Sequence, residues 1–153
     1  MKENRYIGVL QSIEALIANE TDLVTVMSTV SCELFHAFDY FNWVGFYRRV
    51  DDRTLKVGPY QGTHGCLTID IEKGVCGKCA REGEIQIEND VNSIPHHIAC
   101  SKDTKSEMVI PIKDYENTVR AVLDIDSTEI NSFDEVDKKY LMTICEYIRE
   151  RYK

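Results

Sequence analysis

An aromatic and β-branched run from Phe41 to Val50 limits the folds open to this chain. It predicts a strand that is followed, after a short turn, by a second strand. The turn segment Asp51-Asp52-Arg53 follows it, and Leu55 to Val57 has the composition of a second strand that ends at Gly58-Pro59. So short a turn joins antiparallel neighbours, since a parallel pair needs a crossover of a dozen or more residues. The sequence therefore predicts a β-hairpin.

Helical periodicity lies on both sides of this hairpin, with apolar residues recurring at steps of three and four. Thr21 or Asp22 is predicted to cap the second helix, and Ser132 the last one. The predicted apolar stripes are Tyr6, Ile7, Leu10, Ile13, Leu16 and Ile17 in the first helix, Leu23, Val26, Met27, Val30, Leu34 and Phe35 in the second, and Val136, Tyr140, Leu141, Ile144 and Ile148 in the last.

Four further segments predict strands, and a short helix opens at Gly74 between the first two of them. The strands are Leu67–Ile71, Ile85–Ile87, Met108–Ile112 and Val119–Asp126, of which the third contains Pro111 and is expected at an edge or a bulge. Hairpin-length turns and a length of 153 residues predict one α+β domain over residues 1–153, an antiparallel sheet with helices packed against it.

The stretch from Gly65 to Glu107 holds four of the six cysteines, Cys66, Cys76, Cys79 and Cys100, each beside Gly, Ala or Lys instead of in an apolar run. This setting predicts thiol chemistry more than core filling. Cys76 falls at the start of the short helix, where the helix dipole is expected to lower its pKa. Cys32 and Cys145 lie beside helical stripes and are interpreted as buried or half-buried structural thiols.

The formal charge of -8 and the pI of about 5.0 argue against nucleic acid or an anionic membrane as a partner. The N-terminus has no apolar run of signal-peptide length, and no segment approaches the ~20 apolar residues that a membrane span needs. We therefore expect a cytoplasmic protein, in which thiols are kept reduced and the cysteines do not form a static disulfide framework.

Two pairs of residues share a strand face. Asp124 and Asp126 are two apart on the last strand, so their carboxylates repel each other unless they lie at a solvated edge or around a cation or hydrogen-bond donor. Trp43 and Tyr47 are four apart and also point the same way, towards either the core or the wall of a pocket.

Six motifs together resemble those of a known family: Asn42–Tyr47, Gly58–Gly62, Gly74–Gly77, His97–Cys100, Ser106-Glu107 and Leu123–Ser127. The sequence is similar to the free methionine-(R)-sulfoxide reductases, which are built on the GAF domain, from about residue 5 to the C-terminus. Cys76 follows Cys66 by ten positions and Cys100 follows Cys76 by 24, as in that family. Cys79 is an addition, which creates the C-x-x-C sequence Cys76-Gly-Lys-Cys79.

The resemblance implies a GAF-like antiparallel sheet of about six strands and reduction of free methionine (R)-sulfoxide, with thioredoxin or a similar dithiol as reductant and no cofactor or metal. Cys100 would be the nucleophile, Cys66 the resolving thiol and Cys76 a third exchanging thiol. The implied substrate-binding residues are Trp43 and Tyr47 in the pocket wall, and Glu107, Asp124 and Asp126 around the sulfoxide oxygen and the ammonium.

Two other interpretations remain open. Cys76, Cys79 and Cys100 with His96 or His97 have elements of a zinc site, which is disfavoured because structural sites usually draw on two close ligand pairs. A non-catalytic GAF module that senses a small ligand or redox state is disfavoured because the chain is expected to end where the domain ends, without an effector domain. The sequence leaves the choice between a monomer and a homodimer open.

Overall fold

The computed structural model describes residues 1–93 and 102–152. The helices are α1 (Lys2–Ile17), α2 (Leu23–Ala37), α3 (Gly74–Glu82) and α4 (Glu135–Arg149), with a 3₁₀ turn at Val91–Ser93. The strands are β1 (Phe41–Arg49), β2 (Thr54–Gly62), β3 (Thr68–Asp70), β4 (Gln86–Glu88), β5 (Ser106–Lys113) and β6 (Val119–Ser127).

The strands form one six-stranded sheet in the order β3-β2-β1-β6-β5-β4, in which every neighbouring pair is antiparallel. β1 and β2 form the predicted hairpin, and β5 and β6 form a second one. The predicted α+β architecture, a GAF-like antiparallel sheet with helices on its faces, is confirmed.

The two faces of the sheet carry different cores. Helices α1, α2 and α4 cover one face, and the larger hydrophobic core lies there; α3 covers the other face over a smaller core. The strands alternate between them, so Leu123 and Ile125 of β6 belong to the larger core, whereas Asp124 and Asp126 point to the side of α3. This alternation gives the sheet one apolar face and one face that carries buried acids.

Pro111 lies inside β5, where the expectation of an edge is met on one side. β4 pairs only with Glu107 to Val109, so the edge of β5 that faces β4 is unpaired at Pro111. On the other side Pro111 pairs with Val122 of β6 in regular register, and the register shifts only between Ile112 and Lys113. A missing backbone N–H is tolerated at such a position, because no ladder hydrogen bond requires it.

The prediction that β2 ends at Gly58-Pro59 was wrong. The strand continues to Gly62, and Tyr60 pairs with Gly45 of β1. The register shifts between Gly45 and Tyr47, so that Gly58 and Pro59 fall in a bulge beside β1. A bulge accommodates a proline that a regular ladder would reject.

Three surface expectations were also wrong. Ile7 and Leu16 are exposed, because the buried face of α1 runs through Tyr6, Val9, Ile13 and Ile17. Cys32 is exposed on α2, whereas Cys145 is buried as expected.

Asp134 caps α4 in place of Ser132, whose hydroxyl bonds instead to Ser127 and to the carbonyl of Glu129. The predicted cap of α2 at Asp22 is confirmed. None of the helices in the described part of the chain has the length and apolar character that a bilayer-spanning segment requires.

Asp137 fastens α1 to the start of α4. Its fully buried carboxylate accepts hydrogen bonds from the Tyr6 hydroxyl at 2.6 Å, from Lys2 Nζ at 2.7 Å and from the backbone N–H of Asp134 at 2.9 Å. The last of these bonds completes a capping box with Asp134. One buried acid therefore serves both the helix cap and the contact between the two terminal helices.

We expect Asp137→Ala to lower the free energy of unfolding by roughly 3 kcal/mol, because Tyr6 and Lys2 lose their shared buried acceptor. Asp134→Ala is the matched control at the same cap. Its exposed side chain contributes only about 1 kcal/mol to the free energy of unfolding. Urea denaturation of both variants measures the difference. Equal losses would show that Asp137 acts only through the cap.

Candidate active site

Three central strands bring the predicted acids and aromatic residues to one place on the α3 face. Asp126 of β6 lies opposite Glu107 of β5 on one side and opposite Trp43 of β1 on the other, while Asp124 lies opposite Gly45. Residues two apart in a strand share a face, and so do residues directly opposite each other on neighbouring strands. The side chains of Trp43, Glu107, Asp124 and Asp126 therefore all project towards α3. The sheet register therefore assembles residues that are far apart in the sequence.

The acids are buried together. Glu107 and Asp124 are 6% and 5% exposed, and Oδ1 of Asp126 is shielded from solvent although the residue as a whole is half-buried. Burial raises the pKa of Asp124 well above its ordinary value, and the charges of Asp126 and Glu107 raise it further. Burial and then the charge of Glu107 raise the pKa of Asp126 in the same way. Burial and mutual repulsion therefore favour the protonated form of the carboxyl groups in this acidic wall.

A polar chain that the sequence did not predict reaches the cluster from β1. Asn42 Nδ2 donates to Thr104 Oγ1 at 3.1 Å, and Thr104 Oγ1 donates to Asp126 Oδ2 at 3.3 Å. Thr104 is buried just before β5 and lies in none of the motifs. Only the fold reveals its role, which is to orient one oxygen of Asp126.

Aromatic rings line the adjoining part of this face. The Trp43 ring stacks against the rings of Tyr47 and Tyr60, with centroid separations of 5.6 and 5.2 Å. Gly45 leaves the space for this stack, because a Cβ there would lie 2.7 Å from the Trp43 ring and 2.3 Å from Cβ of Tyr60. Trp43 and Tyr47 are both buried, as either predicted role requires.

The thiol of Cys76 projects from α3 towards the acids. One sulfur or carboxylate oxygen from each of Cys76, Glu107 and Asp124 lies within 4.8 Å of the others. The expected lowering of the Cys76 pKa by the helix dipole was wrong: burial raises its pKa, and the negative charges of Asp124 and Glu107 add to the effect. Desolvation and nearby acids outweigh a dipole at the end of a short helix.

The other predicted thiols have different settings. Cys79 is fully buried one turn further along α3 as a free thiol, and burial raises its pKa. Cys66 is half-buried beside the smaller core and is disulfide-bonded. Cys100, predicted as the nucleophile, and His96 and His97 of the zinc hypothesis lie outside the described residues.

Comparisons with known proteins fit this geometry. The GAF-domain profile matches residues 18–150. The free methionine-R-sulfoxide reductase of Saccharomyces cerevisiae is 38% identical over 155 residues, which cover 97% of this chain and 86% of the yeast protein. The Escherichia coli protein of the same name is 36% identical over 140 residues, 92% of this chain and 84% of its own.

A solved structure gives the same relationship. The free methionine-R-sulfoxide reductase of Neisseria meningitidis, in complex with its substrate, superposes with a TM-score of 0.93 at 36% identity, covering 99% of this chain and 90% of that one. The chain belongs to the free methionine-R-sulfoxide reductase family of GAF-domain proteins. The family resemblance read from the motifs is thus confirmed, whereas the roles of individual site residues stay predictions.

The raised pKa values of the acids predict how stability depends on pH. Since the folded protein binds these protons more tightly than the unfolded chain, stability falls as the pH rises above the ordinary Asp value of 3.8. We expect Asp124→Asn, which removes one buried ionisation, to be more stable than the wild type at pH 8, with an advantage that shrinks towards pH 4. Urea denaturation across this range measures it.

Asp114→Asn is the control of opposite sign. A hydrogen bond from the backbone N–H of Thr118 holds the pKa of Asp114 below its ordinary value, so this variant should lose stability at pH 8 and little at low pH. A stability difference between Asp124→Asn and the wild type that did not change with pH would show that the pKa of Asp124 is not raised in the folded protein.

Proposed function

We propose that this protein reduces free methionine (R)-S-oxide to methionine by thiol chemistry. The observation that carries the proposal is the wall of Glu107, Asp124 and Asp126, buried on one sheet face beside Trp43 and a cysteine. The complex of the Neisseria meningitidis relative with its substrate supports the same conclusion.

The acidic wall suits the chemistry of a sulfoxide. A thiolate attacks the sulfoxide sulfur, and the S–O bond breaks readily, with transfer of the oxygen to the cysteine sulfur, only after that oxygen has been protonated. A carboxyl group whose pKa is raised by burial and by neighbouring acids still holds a proton near neutrality and can donate it. Asp124 and Asp126 meet this condition, and Glu107 supplies part of the charge that creates it.

The same residues account for recognition of a free amino acid. The wall has more acids than one proton transfer requires, and the remaining negative charge suits the ammonium group of the substrate. The Trp43 indole, which stacks against Tyr47 and Tyr60, offers apolar surface for the S-methyl group.

The nucleophile in this proposal is Cys100 and not Cys76. A thiolate is the reactive form, and the raised pKa of buried Cys76 keeps it as a thiol at neutral pH. Cys100 lies outside the described residues; in the sequence it precedes Thr104 by four positions, and Thr104 donates to Asp126. Cys76 remains as a thiol that can exchange later.

The electrons come from thiols. Attack at sulfur and loss of methionine leave Cys100 as a sulfenic acid, which takes the sulfoxide oxygen. The Cys66 thiol then condenses with it to form a disulfide and release water, and an external dithiol such as thioredoxin reduces that disulfide in two exchange steps. The disulfide-bonded state of Cys66 supports this resolving role. Such recycling requires a reducing compartment, in keeping with the cytoplasmic location expected from the sequence.

We expect Cys100→Ser to abolish formation of methionine, because no other thiol carries the first step. Cys66→Ser should release about one methionine per protein molecule and then stall, unless Cys76 replaces it in the exchange. Assays with free methionine (R)-S-oxide and thioredoxin measure burst and turnover, with Cys145→Ser, a buried cysteine of α4, as the control. Turnover by Cys100→Ser at the wild-type rate would refute the assignment.

We expect Asp126→Asn, which removes a proton donor, and Glu107→Gln, which removes a charge that raises the pKa of that donor, each to slow turnover by about 10²- to 10⁴-fold, the range typical of lost acid catalysis. Glu129→Gln is the matched control, an exposed acid two residues beyond the end of β6. Separated R and S sulfoxides, free and peptide-bound, test the substrate class in the same assay. Substrate binding without turnover by the wild type would favour the sensory GAF module instead.

A further inference from the structure

The thiol of Cys76 and the carboxylates of Glu107 and Asp124 form a compact donor set. One donor atom from each residue lies within 4.8 Å of the other two. The three residues are 4%, 6% and 5% exposed, so all are more than nine-tenths buried. They come from α3, β5 and β6, three elements that pack directly together.

A second observation shows that this cluster has an unused acceptor. Oδ1 of Asp124 is buried without a hydrogen-bond donor among the residues that the structure describes, and so is Oδ1 of Asp126. In the same part of the chain no lysine or arginine forms an ion pair with either aspartate. A buried carboxylate oxygen that lacks a donor is costly, and a bound cation would satisfy it.

The donor types select a class of cation. Two carboxylates alone would suit Mg²⁺ or Ca²⁺, but a thiolate in the set favours a borderline-soft ion such as Zn²⁺. With Zn–S near 2.3 Å and Zn–O near 2.1 Å, tetrahedral donors lie about 3.5 Å apart. Small side-chain rotations bring donors from within 4.8 Å to that separation. Coordination would release the thiol proton, and any proton that the two carboxyl groups hold, to solvent.

We propose that Cys76, Glu107 and Asp124 form a binding site for a thiophilic divalent cation of the Zn²⁺ class, and that a cation held there blocks substrate binding by occupying the acidic wall. The binding claim stands on the geometry alone, whereas the blocking claim rests on the proposed reductase function. The site differs from the zinc hypothesis drawn from the sequence, because Cys79 of the C-x-x-C is not a member of the donor set.

Cobalt titration of the reduced protein tests the binding claim. Co²⁺ is the probe, because a cobalt–thiolate bond gives a charge-transfer band in the near ultraviolet. We expect the band in the wild type and in Cys79→Ser, the matched loss of a buried thiol one turn along the same helix, and we expect Cys76→Ser to lack it. Circular dichroism of each variant verifies the fold.

Asp124→Asn gives a second, shape-preserving test should Cys76→Ser fail to fold. Its cobalt affinity should fall by more than about tenfold, since even changes in the outer shell of a metal site cost that much. Absence of the band in the wild type would overturn the proposal, as would its persistence in Cys76→Ser or an equal loss in Cys79→Ser, which would make the C-x-x-C pair the ligands.

Zinc inhibition tests the blocking claim separately. We expect stoichiometric Zn²⁺ to suppress a single turnover of free methionine sulfoxide by the pre-reduced protein, and EDTA to restore it; a single turnover needs no external dithiol that would chelate zinc. Full activity at saturating zinc occupancy would overturn the blocking claim. If the reductase proposal itself is wrong, the protein shows no turnover even in EDTA. The cobalt titration is a separate experiment without EDTA, so its result would still stand.

Discussion

Burial of several acids on one face of the β5–β6 hairpin is the constraint on which the rest of the structure depends. Carboxylates removed from water favour the protonated form, and each neighbouring acid increases that preference. The arrangement opposes folding near neutral pH, so stabilisation has to come from elsewhere. It comes from the opposite face of the same strands, where α1, α2 and α4 bury the larger core.

The two faces are coupled because one strand serves both. Leu123 and Ile125 fix β6 in the larger core, and the alternation of the strand then directs Asp124 and Asp126 to the other side. A slip of one residue would exchange the faces, placing acids in the core and apolar side chains in the site. The packing that stabilises the fold thus also sets the positions of the acidic wall.

The sequence predicted those features that depend on local pattern. The hairpin at Asp51-Asp52-Arg53, the cap at Asp22 and the shared face of Asp124 and Asp126 follow from turn chemistry and periodicity, and the structure agrees. The features it missed depend on partners distant in the sequence. β2 runs past Pro59 because β1 offers a bulge there, and Thr104 enters the site only through Asp126 and Asn42.

The pKa of Cys76 shows the same limit. From sequence, a cysteine near a helix start suggests a reactive thiolate, but the helix points this one into a core and towards buried acids. Those contacts reverse the sign of the expected effect. The assignment of the whole chain to one domain, the cytoplasmic location and the oligomeric state remain predictions from sequence.

Under the proposed function, the buried acids would also explain why the site selects a free amino acid. A wall that keeps one proton for the sulfoxide oxygen still holds further acids, which ionise more easily when a cation lies beside them. The ammonium group of a free amino acid supplies that cation, whereas a methionine sulfoxide within a polypeptide has a neutral amide in its place. Bound substrate would therefore relieve part of the burial penalty carried by Asp124 and Asp126. In the proposed mechanism, recognition of the ammonium and retention of the proton would then be two consequences of the same crowded charges.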